Sequence, residues 1–157
     1  MMKKPTPLYC TRCAITDLIE RRGMIIVMSS IAGFAPVLGR SGYCASKYAL
    51  HGLFDTLRIE LAGAGVHIMM VCPTFVKTNL QMRALGGDGQ VTRHPQSTLG
   101  KLQTPEQTAR AIYAAAGKKK RVLIPTAMGK TAYWLNRLLP ALYDCIVARQ
   151  FRSELIR

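Results

Sequence analysis

The chain has 157 residues, 49% hydrophobic and 19% charged, which suits one folded domain with a core, is too short to expect two, and argues against disorder. The longest apolar runs, around Met24–Met28 and His67–Cys72, are strand-length and far short of the roughly 18–20 residues that cross a bilayer. The charge is lopsided, 22 Lys+Arg against 8 Asp+Glu for a net of +14, but the basic residues are scattered and lack interleaved aromatics, which argues against a nucleic-acid partner.

Met1–Pro7 carries two lysines with no apolar stretch behind them, which is not the pattern of a secretory signal. Five cysteines, an odd number, fit reduced thiols and a cytoplasmic setting. Cys10 and Cys13 form a C-x-x-C, yet no further ligands follow at zinc spacing and no strand precedes them as a redox motif requires. Helical spacing on a half-buried face is the expected reading, and no metal site is expected.

In chain order, Thr11–Arg22 reads as a helix with Ala14, Ile15 and Leu18 on one side, ending at Gly23. Met24–Met28 is a continuous apolar run with β-branched residues, the pattern of a strand buried on both faces. It leads through Ser29-Ser30 into a Gly- and Pro-containing loop from Ala32 to Gly42. Tyr43–Ala62 is the clearest helix, with Leu50, Leu53, Phe54, Leu57 and Leu61 at helical spacing and Gly63 and Gly65 as stops. His67–Cys72 is a second buried strand, closed by Pro73.

Residues 77–103 are polar and Gly-rich, and a long irregular segment in a small domain is commonly either functional or mobile. Thr104-Pro105-Glu106-Gln107 predicts a helix start with a Thr cap, Pro at the first position and Gln closing a capping box, with the helix stopping at Gly117. Val122–Ile124 is a third short strand, and residues 130–157 form a helical tail interrupted at Pro140. Strand, helix, strand, loop, helix, strand predicts an α/β fold with three parallel strands and flanking helices.

Tyr43 and Lys47, four apart at the start of a helix, share one face. An ammonium beside a phenol favours the phenolate, and a tyrosine tuned this way can exchange a proton near neutral pH. Ser30 stands at the carboxyl end of a strand, where open α/β sheets place ligand-contacting groups. Taken alone, Y-x-x-x-K describes many ordinary surface pairs.

The surrounding blocks are more specific. Gly23-Met-Ile-Ile-Val-Met-Ser-Ser-Ile-Ala-Gly33, then Tyr43-Cys-Ala-Ser-Lys47, then Val71-Cys-Pro73-Thr-Phe-Val76-Lys-Thr78 resemble, in order, the central blocks of the short-chain dehydrogenase/reductase family. The resemblance implies a partial Rossmann-like, doubly wound parallel sheet over residues 1–157 and hydride transfer between NAD(P) and an alcohol/carbonyl pair. It implies Tyr43 as proton donor or acceptor, Lys47 as its tuner and as a ligand of the nicotinamide ribose, and Ser30 as the group orienting the substrate oxygen. Ser29 is the lesser of the serine pair, its spacing to Tyr43 being one too long. Pro73, Val76 and Thr78, with Tyr43 and Lys47, would bind the cofactor, and residues 77–103 would form the substrate loop; the basic charge balance leans slightly to NADP over NAD.

The sequence departs from the family in three places. Gly23 is the sole glycine before Ile31, so no Gly-rich turn precedes Ser30 to receive a pyrophosphate at a helix N-terminus. The family's asparagine upstream of the serine has no counterpart, the first asparagine being Asn79, and Thr74 stands where the family usually has glycine, a change that could tighten the nicotinamide pocket. The expectation is therefore a truncated cofactor-binding domain with little activity of its own and an exposed apolar edge at Met24–Met28.

The alternative is a catalytically inactive dimerisation or interaction module, pairing with itself or with a full-length relative through the helices that flank Gly23 and open at Tyr43. The tail more loosely resembles family members ending in an extra amphipathic helix, some of them membrane-associated, which allows peripheral membrane contact. Packing over the substrate pocket is the preferred reading of that tail.

Overall fold

The structure, a computed structural model, describes residues 6–78, 90–91, 100 and 102–152. Most of the 77–103 segment and the last five residues of the tail lie outside the described residues.

Helix α1 (Thr6–Glu20) begins earlier than its apolar spacing suggested, and buries none of its described side chains. Cys10 and Cys13 are both exposed, rather than half-buried as expected. The helix stops because Arg22 turns left-handed (φ 48°), letting the Gly23 N–H donate to Leu18 O at 2.8 Å. A Cβ on Gly23 would fall 2.8 Å from Leu18 Cδ2, so the end of that leucine side chain would have to shift to admit a larger residue.

Strand β1 (Met24–Met28) leads through a 3-10 turn (Ile31–Gly33) to helix α2 (Ser41–Glu60), and strand β2 (His67–Val71) follows. Helix α3 (Pro105–Gly117) opens with both halves of the expected capping box, Thr104 Oγ1 accepting from Gln107 N and Gln107 Oε1 accepting from Thr104 N. Strand β3 (Val122–Leu123) and helices α4 (Ala127–Leu138) and α5 (Pro140–Gln150) complete the order, with the tail interrupted at Pro140 as expected. The three strands are parallel in the order β1-β2-β3, pairing Met24 with His67 through Met28 with Val71, and Met70 with Val122.

β2 is the centre of the core. Its alternation sends Ile68, Met70 and, just beyond the strand, Cys72 to one face, where they meet Val27, Phe54 and the leucines 50, 53, 57 and 61 of and just beyond α2. Met69 and Val71 point the other way, onto Ala115, Ile112 and Ala116 of α3. Both faces of β2 are thus covered, and a side chain of this size contributes about 1.5–3 kcal/mol when fully buried. β1 differs from its expected burial on both faces. Val27 alone is buried in this strand, while Ile26 and Met28 are 41% and 49% exposed.

The tail packs against the loop that follows β1. Tyr133 meets Phe34 edge-on at 5.0 Å, Asn136 Nδ2 donates to Phe34 O at 2.7 Å, and Tyr143 OH donates to Pro36 O at 2.8 Å. Its outward side exposes Trp134, Leu138 and Leu142. Among the described residues, no helix is long and apolar enough to cross a membrane.

Candidate functional site

Parallel strands bring their carboxyl ends to one edge of the sheet, and the candidate site is assembled there. Ser29 and Ser30 leave β1 buried. Ser29 N–H continues the ladder to Val71 O at 2.8 Å, and Ile31 N–H donates to Pro73 O at 3.1 Å, so the segments after β1 and β2 remain paired. Ser30 is extended (φ −164°) and its Oγ accepts from Ala32 N at 3.2 Å, capping the 3-10 turn. That cap uses an oxygen lone pair, and a hydroxyl also carries a proton to donate.

α2 begins opposite this strand end. Tyr43 and Lys47, one turn apart, lie on one side of it. Lys47 Nζ donates to the carbonyl of Met28, the last residue of β1, at 3.0 Å, and lies 5.7 Å from the Tyr43 ring centroid. Burial holds the Lys47 ammonium below its ordinary pKa. Tyr43 is 41% exposed, open to a ligand from solvent. Lys47 thus links the side of α2 that carries Tyr43 to the end of β1, two residues before Ser30.

The segment after β2 carries the other expected residues. Pro73 and Val76 are half-buried and Thr78 is exposed. Val76 forms a parallel bridge with Gln103, held by Lys77 N–H to Gln103 O (2.9 Å) and Gln103 N–H to Phe75 O (3.0 Å). Thr74 turns to the tail: its Oγ1 lies 3.3 Å from Thr126 Oγ1, and its methyl lies over Gly129, where a Cβ would come within 3.1 Å of it.

Sequence reasoning missed His51. It continues the Tyr43–Lys47 stripe by another turn, at i+8 from Tyr43, and that spacing was the available signal. Its Nε2 lies 3.0 Å from Ser29 Oγ and 3.8 Å from Cys72 Sγ, with the Phe34 ring edge-on at 6.1 Å. Burial lowers its pKa. Cys72 is buried, its thiol pushed up to about 12 mainly by desolvation.

A short chain dehydrogenase family model matches residues 6–87. The chain is 32% identical over 150 residues to dehydrogenase/reductase SDR family member 7B of Xenopus tropicalis, covering 94% of this chain and 48% of that protein. The Bos taurus protein of the same name is 33% identical over 150 residues, covering 94% and 46%. A short chain dehydrogenase from Burkholderia cenocepacia, solved in complex with NADP, superposes with a TM-score of 0.74 at 18% identity, over 90% of this chain and 54% of that one. The chain therefore spans about half the length of the relatives it matches. The parallel α/β architecture is that of these Rossmann-fold enzymes. A matched span that takes in β1, the serine pair, α2 with Tyr43 and Lys47, and the segment after β2 places this chain in the short-chain dehydrogenase/reductase family.

Proposed function

We propose that the chain carries the catalytic centre of an NAD(P)-dependent oxidoreductase that interconverts an alcohol and a carbonyl compound, with Ser30, Tyr43 and Lys47 as its reacting group. The observation that carries the reading is Lys47, anchored on Met28 O beside the Tyr43 ring at the strand end that also bears Ser30. In the reducing direction Ser30 donates a hydrogen bond to the substrate carbonyl oxygen and Tyr43 delivers the proton to it. The Lys47 ammonium then stabilises the phenolate left behind, because opposite charge favours the ionised form. In the oxidising direction the same phenolate takes the alcohol proton.

The residues present suit the nicotinamide end of the dinucleotide. Lys47 offers ammonium protons to the ribose, the half-buried Pro73 and Val76 offer an apolar wall, and Thr78 offers a hydroxyl. When bound, the nicotinamide supplies or accepts the hydride. The excess of basic residues, a net +14, puts NADP ahead of NAD.

Calorimetry with NADH and NADPH, followed by turnover of a panel of ketones, tests the proposal. Weak binding and slow turnover are expected, and that turnover should fall about 100-fold or more in Tyr43→Phe. Absence of binding and turnover, or undiminished turnover in Tyr43→Phe, overturns it.

A further inference from the structure

Two successive turns of α2 are fastened to the end of β1. Lys47 Nζ holds Met28 O at 3.0 Å, and one turn later His51 Nε2 meets Ser29 Oγ at 3.0 Å. The serine hydroxyl donates if the imidazole presents a lone pair at Nε2, which places the ring proton on Nδ1. The ring is wedged in place: a Cβ on Gly33 would fall 2.6 Å from its Cδ2 and Nε2 and 2.8 Å from Ser29 Oγ. Ser29 in turn adjoins Ser30 and receives its backbone position from β2 through Val71 O.

We infer that His51 is a positioning residue, which through the hydrogen bond from Ser29 to its Nε2 holds the β1 end so that Ser30 stays in register with Tyr43 and Lys47. The inference rests on the oxidoreductase reading above. His51 touches neither of the proposed proton-transfer groups, and acts through Ser29.

The charges around the ring make this contact sensitive to pH. Burial lowers the His51 pKa, Asp55 opposes that shift, and Arg58 and Lys47 reinforce it. The Cys72 thiol, at about 12, stays protonated and contributes no charge. Protonation would fill the Nε2 lone pair, turn the Ser29 hydroxyl away, and place a second cation one helical turn from Lys47. Because the folded His51 pKa lies below the unfolded value of about 6.5, the unfolded chain binds more protons between the two. Stability from this contact is therefore intact above pH of about 6.5 and is lost as pH falls toward the folded pKa.

Histidine-labelled NMR on the full chain, with Ser29→Ala, His51→Gln and His51→Leu, tests this without cofactor. His51 is expected to titrate below about 6.5 as the Nδ1–H tautomer. The Ile31 and Ala32 amide signals should move with the same midpoint, lose that pH step in His51→Gln, and be displaced at every pH in His51→Leu. Ser29→Ala should raise the His51 midpoint. An Nε2–H tautomer, an ordinary midpoint, or Ile31 and Ala32 signals indifferent to it would overturn the inference.

In turnover, kcat should fall about tenfold or more in His51→Leu with KM nearly unchanged, and His51→Gln should restore most of it without the acidic limb. Unchanged kcat in His51→Leu also overturns the inference. A wild-type chain that turns over nothing sinks the oxidoreductase reading instead, and the NMR measurements then decide the role of His51 at the strand end.

Discussion

Gly33 and Gly52 show how differently the same residue type is used around the site. Gly33 closes the 3-10 turn against the imidazole of His51, and a methyl there would overlap both the ring and Ser29 Oγ. Gly52, next to His51 on α2, faces open space, with nothing within 4 Å of an added Cβ. Gly33→Ala should therefore cost about 1–3 kcal/mol, the range for overpacking a filled site. Gly52→Ala should stabilise by about 0.5–1 kcal/mol, because it reduces unfolded-chain freedom inside a helix. Urea unfolding of the two variants checks both signs in one experiment, and a loss in Gly52→Ala would contradict the open geometry.

Among the elements, three helix ends are closed by three different devices. α1 ends on the left-handed Arg22, α3 opens on a complete capping box, and α4 opens on Thr126 Oγ1, which accepts from Gly129 N at 3.1 Å. The α3 cap is the strongest of these, because two orphan N–H groups are satisfied reciprocally and Pro105 has no N–H to satisfy. Thr104→Ala should cost about 1 kcal/mol, read by urea unfolding. Thr104→Ser, which keeps the acceptor oxygen, should recover most of it. If both variants lose equally, the threonine methyl rather than the cap carries the effect.

For the whole molecule, the sheet has an unequal pair of sides. β2 is covered on both faces, whereas β1 pairs only with β2 among the described residues and shows Ile26 and Met28 to solvent. An apolar strand with one free edge is a template for pairing with another chain. The net charge of +14 opposes that association by mutual repulsion, which salt screens. The 157-residue chain should thus self-associate as ionic strength rises, in sedimentation at fixed protein concentration, and Ile26→Lys should weaken the effect. Salt-independent behaviour in both chains would mean the edge is covered.

The order of elements, the α/β class, the α3 cap and the stripe that joins Tyr43 to Lys47 are legible in local spacing. Those features are written in repeats of two to four residues, and spacing reports such local regularities directly. Resemblance across three blocks added the family, which the matched span bears out. Tertiary structure decided the rest. The apolar run of β1 reads as a strand buried on both sides, but burial depends on which neighbours lie beside it, and Met28 is half exposed. Cys10 and Cys13 read as half-buried on their own helix, yet α1 leaves them in solvent. His51 carries no local signature beyond its helical spacing. Its meeting with Ser29 joins residues 22 positions apart and arises only when α2 folds back over the end of β1. Contacts of that kind depend on the packing of one element against another, and local periodicity holds no record of them.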